Sequence, residues 1–239
     1  MKLNILFEDE TMVVAEKPAG VLSQSDRSTE LAMTDHVKNY LYDKYGKGKA
    51  EVFLIHRLDR PVGGVMVFAR TKEAAASLSR QVQDKTMEKH YLAVLNTRQP
   101  LTKEYKQITD YLVKDMKTNL SSITSETNKQ AKKAVLNYKI VASLEKDGEE
   151  LSLAEIELLT GRHHQIRVQM AKEAGGLWGD TKYNKTFIAK ERWVNPGLYS
   201  YQLSFLHPKT KKRMTYQCLP QEGIFQAFEE DMKRIFRRA

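Results

Sequence analysis

The chain has 239 residues, enough for one large domain or two small ones, and its hydrophobic content of 41% is that of an ordinary globular protein. It carries 39 Lys and Arg against 30 Asp and Glu, and the formal net charge of +9 suggests either a polyanionic partner, nucleic acid first, or simply a basic surface. The single cysteine, Cys218, excludes an intrachain disulfide. We expect no signal peptide, and no apolar run reaches the ~18 residues that span a membrane. Together these features favour a cytoplasmic protein.

The first part of the chain alternates short apolar runs with two amphipathic stretches. The predicted elements there are strands at 5–7, 12–15, 52–55 and 65–69 and helices at 34–45 and 72–85. The segment Lys17-Pro18-Ala19-Gly20 predicts a bend after the opening hairpin. Gly46 is expected to end the first helix, and Thr71 is a suitable N-cap for the second.

The rest of the chain contains more strands than helices. The predicted elements are strands at 90–95, 107–113, 134–142, 151–159, 199–206 and 214–219 and helices at 163–172 and 221–237, the last one amphipathic. Asp147-Gly148 predicts a tight turn between two of these strands. Because many strands are joined by short turns, we predict an α+β fold with a largely antiparallel sheet and not a doubly wound one.

The segment from His56 to Gly64, His-Arg-Leu-Asp-Arg-Pro-Val-Gly-Gly, places one carboxylate between two guanidiniums just before a turn. Such a segment suits an ionised Asp59 at the edge of a cleft that attracts a polyanion. It also suits a surface turn in which Asp59 pairs with Arg57 or Arg60, which is the commoner situation and contributes little to stability. Support for a functional role therefore has to come from elsewhere in the chain.

A second polar segment, from Thr160 to Val168, carries Arg162, two adjacent histidines, Gln165 and Arg167 around the predicted start of a helix. Adjacent positions on a helix point about 100° apart, so His163 and His164 are not expected to share a metal ion. With one cysteine and no His pair at i and i+4, we predict no metal site. A helix start of this composition is better suited to gripping a phosphate or a carboxylate.

A third segment, Glu88 to Val94, predicts a strand that carries Tyr91, which by itself is typical of a core or rim tyrosine. Taken in order, the three segments resemble the RluA-type branch of the pseudouridine synthase superfamily, which has a His-Arg-Leu-Asp motif, a Lys-x-Tyr-x-Ala strand and a Gly-Arg-x-His-Gln-Ile-Arg helix start. The Lys-Pro-x-Gly bend, Gly179-Asp180-x-x-Tyr183 and Leu203-Ser-Phe-x-His207-Pro208 are similar to further motifs of that family.

The resemblance implies a single catalytic domain over 1–239 with a mixed, mostly antiparallel sheet split by a basic cleft. It implies an isomerase that converts specific uridines of rRNA or tRNA to pseudouridine without a cofactor or metal. By motif position, Asp59 is the catalytic carboxylate, Arg167 the cation that pairs with it, and Tyr91 the aromatic residue that packs on the target base. The residues expected to bind or position RNA are Arg57, His56, Arg60, Arg162, Gln165, Lys209, Lys211 and Lys212.

Further lysines in the middle of the chain could neutralise phosphates, although each could equally be a solvated surface charge; these are Lys103, Lys106, Lys114, Lys117, Lys129, Lys132 and Lys133. The predicted protein is a monomer whose substrate is a compact tRNA arm or rRNA hairpin.

The sequence departs from the family pattern at Val62-Gly63-Gly64, where a Thr-Ser-Gly turn is usual and we expect added flexibility, and at His163, where Thr is usual. The alternatives are a non-catalytic RNA-binding protein with the same fold and a hydrolase that uses Asp59 with a histidine.

Overall fold

The computed structural model describes residues 1–26, 29–97, 104–189 and 194–237. In chain order the strands and helices are β1 (Asn4–Glu8), β2 (Met12–Lys17), α1 (Met33–Tyr45), β3 (Phe53–Leu54), β4 (Gly63–Ala69), α2 (Lys72–Gln83), β5 (Glu88–Asn96), β6 (Lys106–Asp115), β7 (Leu120–Thr124), β8 (Lys132–Lys146), β9 (Glu149–Leu158), α3 (Gln165–Ala174), α4 (Lys185–Ile188), β10 (Leu198–Leu206), β11 (Arg213–Gln217) and α5 (Glu229–Phe236). Two 3₁₀ helices cover Lys47–Lys49 and Gly223–Phe228.

The chain divides into two compact units, each built from two stretches of sequence. The first comprises Met1–Lys89 and Ser200–Cys218, and the second comprises His90–Tyr199 and Leu219–Ala239. Within the described part of the chain, the longest helix, α1, has 13 residues, and no helix is long and apolar enough to cross a bilayer.

The first unit is a sheet in which β2 pairs with β1 and β4, β3 pairs with β4, and β10 pairs with β11, all antiparallel. Alternate residues of β2 and β4 point to one side, where α2 covers them with Ala74 and Leu78. Helix α2 begins where predicted, because the Thr71 hydroxyl accepts a hydrogen bond from the Ala74 N–H at 3.2 Å. This packing gives the loop between β3 and β4 a rigid base.

The second unit is an antiparallel sheet in the order β5-β9-β8-β6-β7. The turn between β8 and β9 lies at Asp147-Gly148, as predicted, with both residues at positive φ, 53° and 75°. Helix α3 follows β9 after a short polar turn, and Ile166, Met170 and Ala174 are buried. The strand–turn–helix passage from β9 to α3 is what positions Arg167.

The predicted α+β class and the largely antiparallel pairing are confirmed, but several elements differ from the prediction, among them the short helix α4 and the 3₁₀ helix at Lys47–Lys49, which were not predicted. Strand β7 was missed, because its sequence Leu-Ser-Ser-Ile-Thr lacks the alternation of a half-buried strand. The predicted single helix over 221–237 is wrong: a 3₁₀ helix precedes α5. The change from about three to 3.6 residues per turn rotates the apolar face, so Phe228 and Met232 are buried while Phe236 is 42% exposed.

Candidate active site

The loop that carries Asp59 joins β3 to β4 in the first unit and is fixed at several points. The Ser23 hydroxyl accepts from the Leu58 N–H at 3.0 Å and donates to the Leu58 carbonyl at 2.7 Å. His56 Nε2 accepts from the Val67 N–H of β4 at 3.3 Å. The half-buried Asp59 therefore sits on a loop whose backbone has little freedom, which suits a side chain that must meet a substrate in one geometry.

Lys17, at the end of β2, is fully buried and contacts the backbone of the same loop. Its ammonium donates to the carbonyls of Pro18, Val21 and Arg60 at 3.1, 2.5 and 3.0 Å. Burial lowers the pKa of Lys17 to about 7, while the Asp59 carboxylate raises it and Arg60 lowers it further. Lys17 is thus a basic group that the first unit itself places near Asp59. The Lys-Pro-x-Gly motif marked this residue without revealing its role.

The two arginines that flank Asp59 differ in their surroundings. Arg60 donates from Nη2 to Glu30 at 2.7 Å and from Nε to the Gly20 carbonyl at 3.0 Å, and half of its side chain is exposed. The Arg57 side chain is exposed. Both stay candidates for contact with RNA phosphates, although Arg60 would have to share its guanidinium with Glu30.

The glycine pair after the loop is not a flexible turn, contrary to our expectation. Gly63 and Gly64 are buried and belong to β4. Gly64 has φ of 132°, and a Cβ there would lie 2.2 Å from the Ser200 carbonyl oxygen of β10. The second glycine is therefore required by a close backbone approach, and the departure from the family pattern reduces to the loss of two hydroxyl groups.

Arg167, on the first turn of α3, is 4% exposed and makes a bidentate ion pair with Asp180 in the second unit. Its Nε lies 2.8 Å from Asp180 Oδ2 and its Nη2 lies 2.7 Å from Oδ1. The same carboxylate accepts from the backbone N–H groups of Lys182 and Tyr183 at 2.9 and 3.2 Å. Asp180 is fully buried, so it fixes the plane of the Arg167 guanidinium. The predicted pairing of Arg167 with Asp59 stays a prediction.

The two histidines before α3 stack on each other, with ring centroids 3.7 Å apart. Our argument that they diverge on a helix was wrong, because His164 takes φ of 53° and the helix begins only at Gln165. His164 Nδ1 lies 2.7 Å from the Tyr183 hydroxyl, which also accepts from the Ser121 N–H at 2.8 Å. His163 Nδ1 lies 2.9 Å from the Ser121 hydroxyl. In the part of the chain that the structure describes, no three His, Cys, Asp or Glu residues are grouped to hold a metal ion.

The histidine stack predicts how stability depends on pH. Burial first, and then the charge of Arg167, lower the pKa of His164 from 6.5 to about 2. Below about pH 6 the unfolded chain therefore binds a proton at His164 that the folded chain does not. The free energy of unfolding consequently falls by about 1.4 kcal/mol for each unit by which the pH is lowered. In urea unfolding between about pH 6 and pH 4, we expect His164→Gln to have a correspondingly flatter slope. An identical slope in the variant would contradict a neutral His164.

Gln165 and Arg162 hold the turn that leads into α3. Gln165 is buried, and its Oε1 accepts from the Thr160 hydroxyl at 2.8 Å and from the Arg162 N–H at 3.0 Å. Its Nε2 donates to the Val135 carbonyl at 3.1 Å. Arg162 Nε donates to the Lys133 carbonyl at 2.9 Å. These contacts favour positioning of Arg167 over direct RNA contact for Gln165.

Tyr91 lies in β5, opposite Ile156 of β9, and is 6% exposed. This low exposure is compatible with stacking on a base, since only one face of the tyrosine ring has to contact the base. The stacking role of Tyr91 stays a prediction.

The lysines expected to bind RNA or to neutralise its phosphates are mostly on the surface. In the turn between β10 and β11, Lys209 pairs with Glu10, Lys211 Nζ donates to the Pro208 carbonyl at 2.6 Å, and Lys212 is exposed. In the second unit, Lys106 pairs with Glu173. The other lysines predicted to neutralise phosphates there are exposed; these are Lys114, Lys117, Lys129, Lys132 and Lys133. Lys103 lies outside the described residues. These lysine side chains are solvated surface charges that are also accessible to RNA phosphates.

Comparison with known proteins decides between the functional interpretations. The sequence matches the family of RNA pseudouridylate synthases over residues 11–172. It is 32% identical to tRNA pseudouridine synthase C of Haemophilus influenzae, over 89% of this chain and 91% of that protein. This chain belongs to the RNA pseudouridylate synthase family.

Two further matches agree with this family membership. A tRNA pseudouridine synthase C of Vibrio parahaemolyticus is 31% identical, over 98% of each chain. The solved structure of human RNA Pseudouridylate Synthase Domain Containing 4 superposes with a TM-score of 0.74 at 22% identity, covering 98% of this chain and 93% of that one, and shows a shared fold. The chain is therefore an RNA pseudouridine synthase, an isomerase, and the family predicted from its motifs is confirmed.

Proposed function

We propose that this pseudouridine synthase modifies a uridine of tRNA and that Asp59 is its catalytic carboxylate. The choice of tRNA over rRNA rests on the two relatives described above, which match almost the whole of this chain and are tRNA pseudouridine synthases by name. The observation that supports Asp59 is its loop, which Ser23, His56 and Lys17 hold in one conformation. We expect the enzyme to act as a cytoplasmic monomer.

The proposed chemistry needs a carboxylate that stays ionised until it meets the substrate. An ionised carboxylate can attack carbon as a nucleophile or stabilise an electron-poor sugar carbon, and three routes stay open: attack on the base, attack on the ribose, and assisted elimination to a glycal. Lys17 is the basic group that the first unit places near Asp59, and the Asp59 carboxylate raises the pKa of its ammonium. Arg167, oriented by Asp180, is the proposed second cation.

The target base has to leave its helix before a protein side chain can reach it. Extrusion costs a few kcal/mol, which stacking and edge contacts in a pocket offset. Tyr91 is the proposed stacking partner. The exposed Arg57, two residues before Asp59, is the proposed contact to the RNA beside the flipped nucleotide.

The experiment that tests this proposal is to incubate the purified enzyme with total tRNA and, separately, with total rRNA from a strain that lacks it, and to map pseudouridine at single-nucleotide resolution. We expect one or a few new sites in tRNA and none in rRNA. New sites in rRNA alone would contradict the proposed substrate but not the synthase activity. A lack of new sites in both would contradict the proposal as a whole.

A further inference from the structure

Lys89, in β5, is a partly desolvated cation. Its side chain is half-buried, and burial lowers its pKa. Among the residues that the structure describes, no carboxylate or carbonyl accepts a hydrogen bond from its ammonium. Lys17 shows the contrast, because that buried ammonium has three carbonyl acceptors.

His56, a titratable group that feels the charge of Lys89, does not compensate that charge. Burial, followed by the charge of Lys89, lowers the pKa of His56 to about 3, so His56 is neutral at physiological pH. The preceding residue, Glu88, is paired with Arg213. The described residues therefore surround the Lys89 ammonium without offering it a counter-ion, and such a burial is costly unless a ligand supplies one.

The position of Lys89 in the chain connects it to the predicted catalytic residues. Side chains two residues apart in a strand point to the same face, so Lys89 projects from β5 on the face that carries Tyr91. Its neighbour His56 lies three residues before Asp59 on the fixed loop. A ligand that reaches Lys89 is thus beside the loop on which the proposed reaction depends.

We propose that Lys89 binds a backbone phosphate of the RNA substrate next to the target uridine. This rests on the proposed function, because the anion is supplied by the RNA. A compact ammonium suits a phosphate oxygen as a point charge. A phosphate also supplies the counter-ion that Lys89 does not find among the described residues, and a partly desolvated lysine makes a stronger contact than one on the open surface.

The test measures RNA affinity as a function of salt in an inactive background, Asp59→Asn, so that the RNA is not altered during the titration. The probes are total tRNA and total rRNA from a strain that lacks the enzyme. For the RNA that binds, adding Lys89→Gln should weaken binding by about 10-fold at about 0.1 M salt and reduce the slope of log K against log salt by about 0.7–0.9. Lys89→Arg should keep the slope. Lys72→Gln, which removes an exposed lysine of α2, is the matched control and should change affinity little.

Two further measurements separate the phosphate contact from other roles of Lys89. If Lys89 were needed for folding, Lys89→Gln would lower the free energy of unfolding, whereas removal of an uncompensated charge should leave it unchanged or raise it. If Lys89 transferred a proton instead, Lys89→Gln would lower kcat in the active enzyme without changing affinity or salt slope. Either result overturns the proposal. If the Asp59→Asn protein binds neither RNA, the proposed function fails and the phosphate site with it, whereas tight binding that Lys89→Gln leaves unchanged refutes the phosphate site alone.

Discussion

Replacement of Asp59 by Asn is expected to reduce pseudouridine formation by roughly 10³-fold or more, which corresponds to about 4 kcal/mol or more of lost transition-state stabilisation. The amide has the shape of the carboxylate but is neither a nucleophile nor an anion, so each of the three chemical routes loses its central group. Single-turnover formation of pseudouridine in tRNA, with enzyme in excess, measures the effect without interference from product release.

The same variant should retain RNA binding, because the loop is held by contacts that do not involve the Asp59 side chain. Loss of a negative charge near RNA should leave affinity unchanged or slightly improved. Asp43→Asn, which removes an exposed carboxylate of α1, is the matched control and should turn over normally. If Asp59→Asn reached the wild-type rate, another group would have to be the catalytic carboxylate.

Replacement of Asp180 by Asn should have the second-largest effect, although we do not expect this residue to contact substrate. The variant keeps the size of the side chain but leaves the buried Arg167 guanidinium without its bidentate counter-ion. Breaking a buried pair from one side costs about 3–5 kcal/mol of stability. A guanidinium that is no longer held in one plane should also lower kcat by about 10²-fold, since misplacement of about 1 Å can have that effect.

A matched substitution separates positioning from simple loss of stability. Asp110→Asn removes another carboxylate of the second unit that is buried and ion-paired, but its ionic partner is Lys172, not Arg167. The amide oxygen of the new Asn can still accept the hydrogen bond that Gln169 Nε2 donates to Asp110. Activity per folded molecule, with folding monitored by circular dichroism, should be normal in Asp110→Asn and low in Asp180→Asn. Equal activity per folded molecule in the two variants would refute a positioning role for Asp180.

Local sequence signals predicted most of the fold, because they report interactions that are themselves local. Thr71 as an N-cap and Asp147-Gly148 as a turn each depend on a few neighbouring residues. The same is true of the opening hairpin, whose two strands lie within fifteen residues of each other. The 3₁₀ helix before α5 could not be predicted in this way, since the apolar spacing of 3 or 4 residues fits either helix type.

The candidate site was predictable as a set of residues but not as a structure. Motifs marked Lys17, Asp180 and Tyr183, but nothing in their sequence neighbourhood shows that Lys17 holds the Arg60 carbonyl or that Asp180 holds Arg167. The stacked His163 and His164 were misread for the same reason. Their geometry depends on a positive φ at His164 and on contacts to Ser121 and Tyr183 from distant parts of the chain.

The most direct test of the central claim, that Asp59 drives uridine isomerisation in tRNA, is complementation in cells. A strain that lacks the enzyme is supplied with wild-type protein or with Asp59→Asn at the same expression level, and pseudouridine is mapped across its tRNAs. We predict that the sites lost in the deletion strain return with the wild type and stay absent with the variant. Return of those sites with Asp59→Asn would contradict the account.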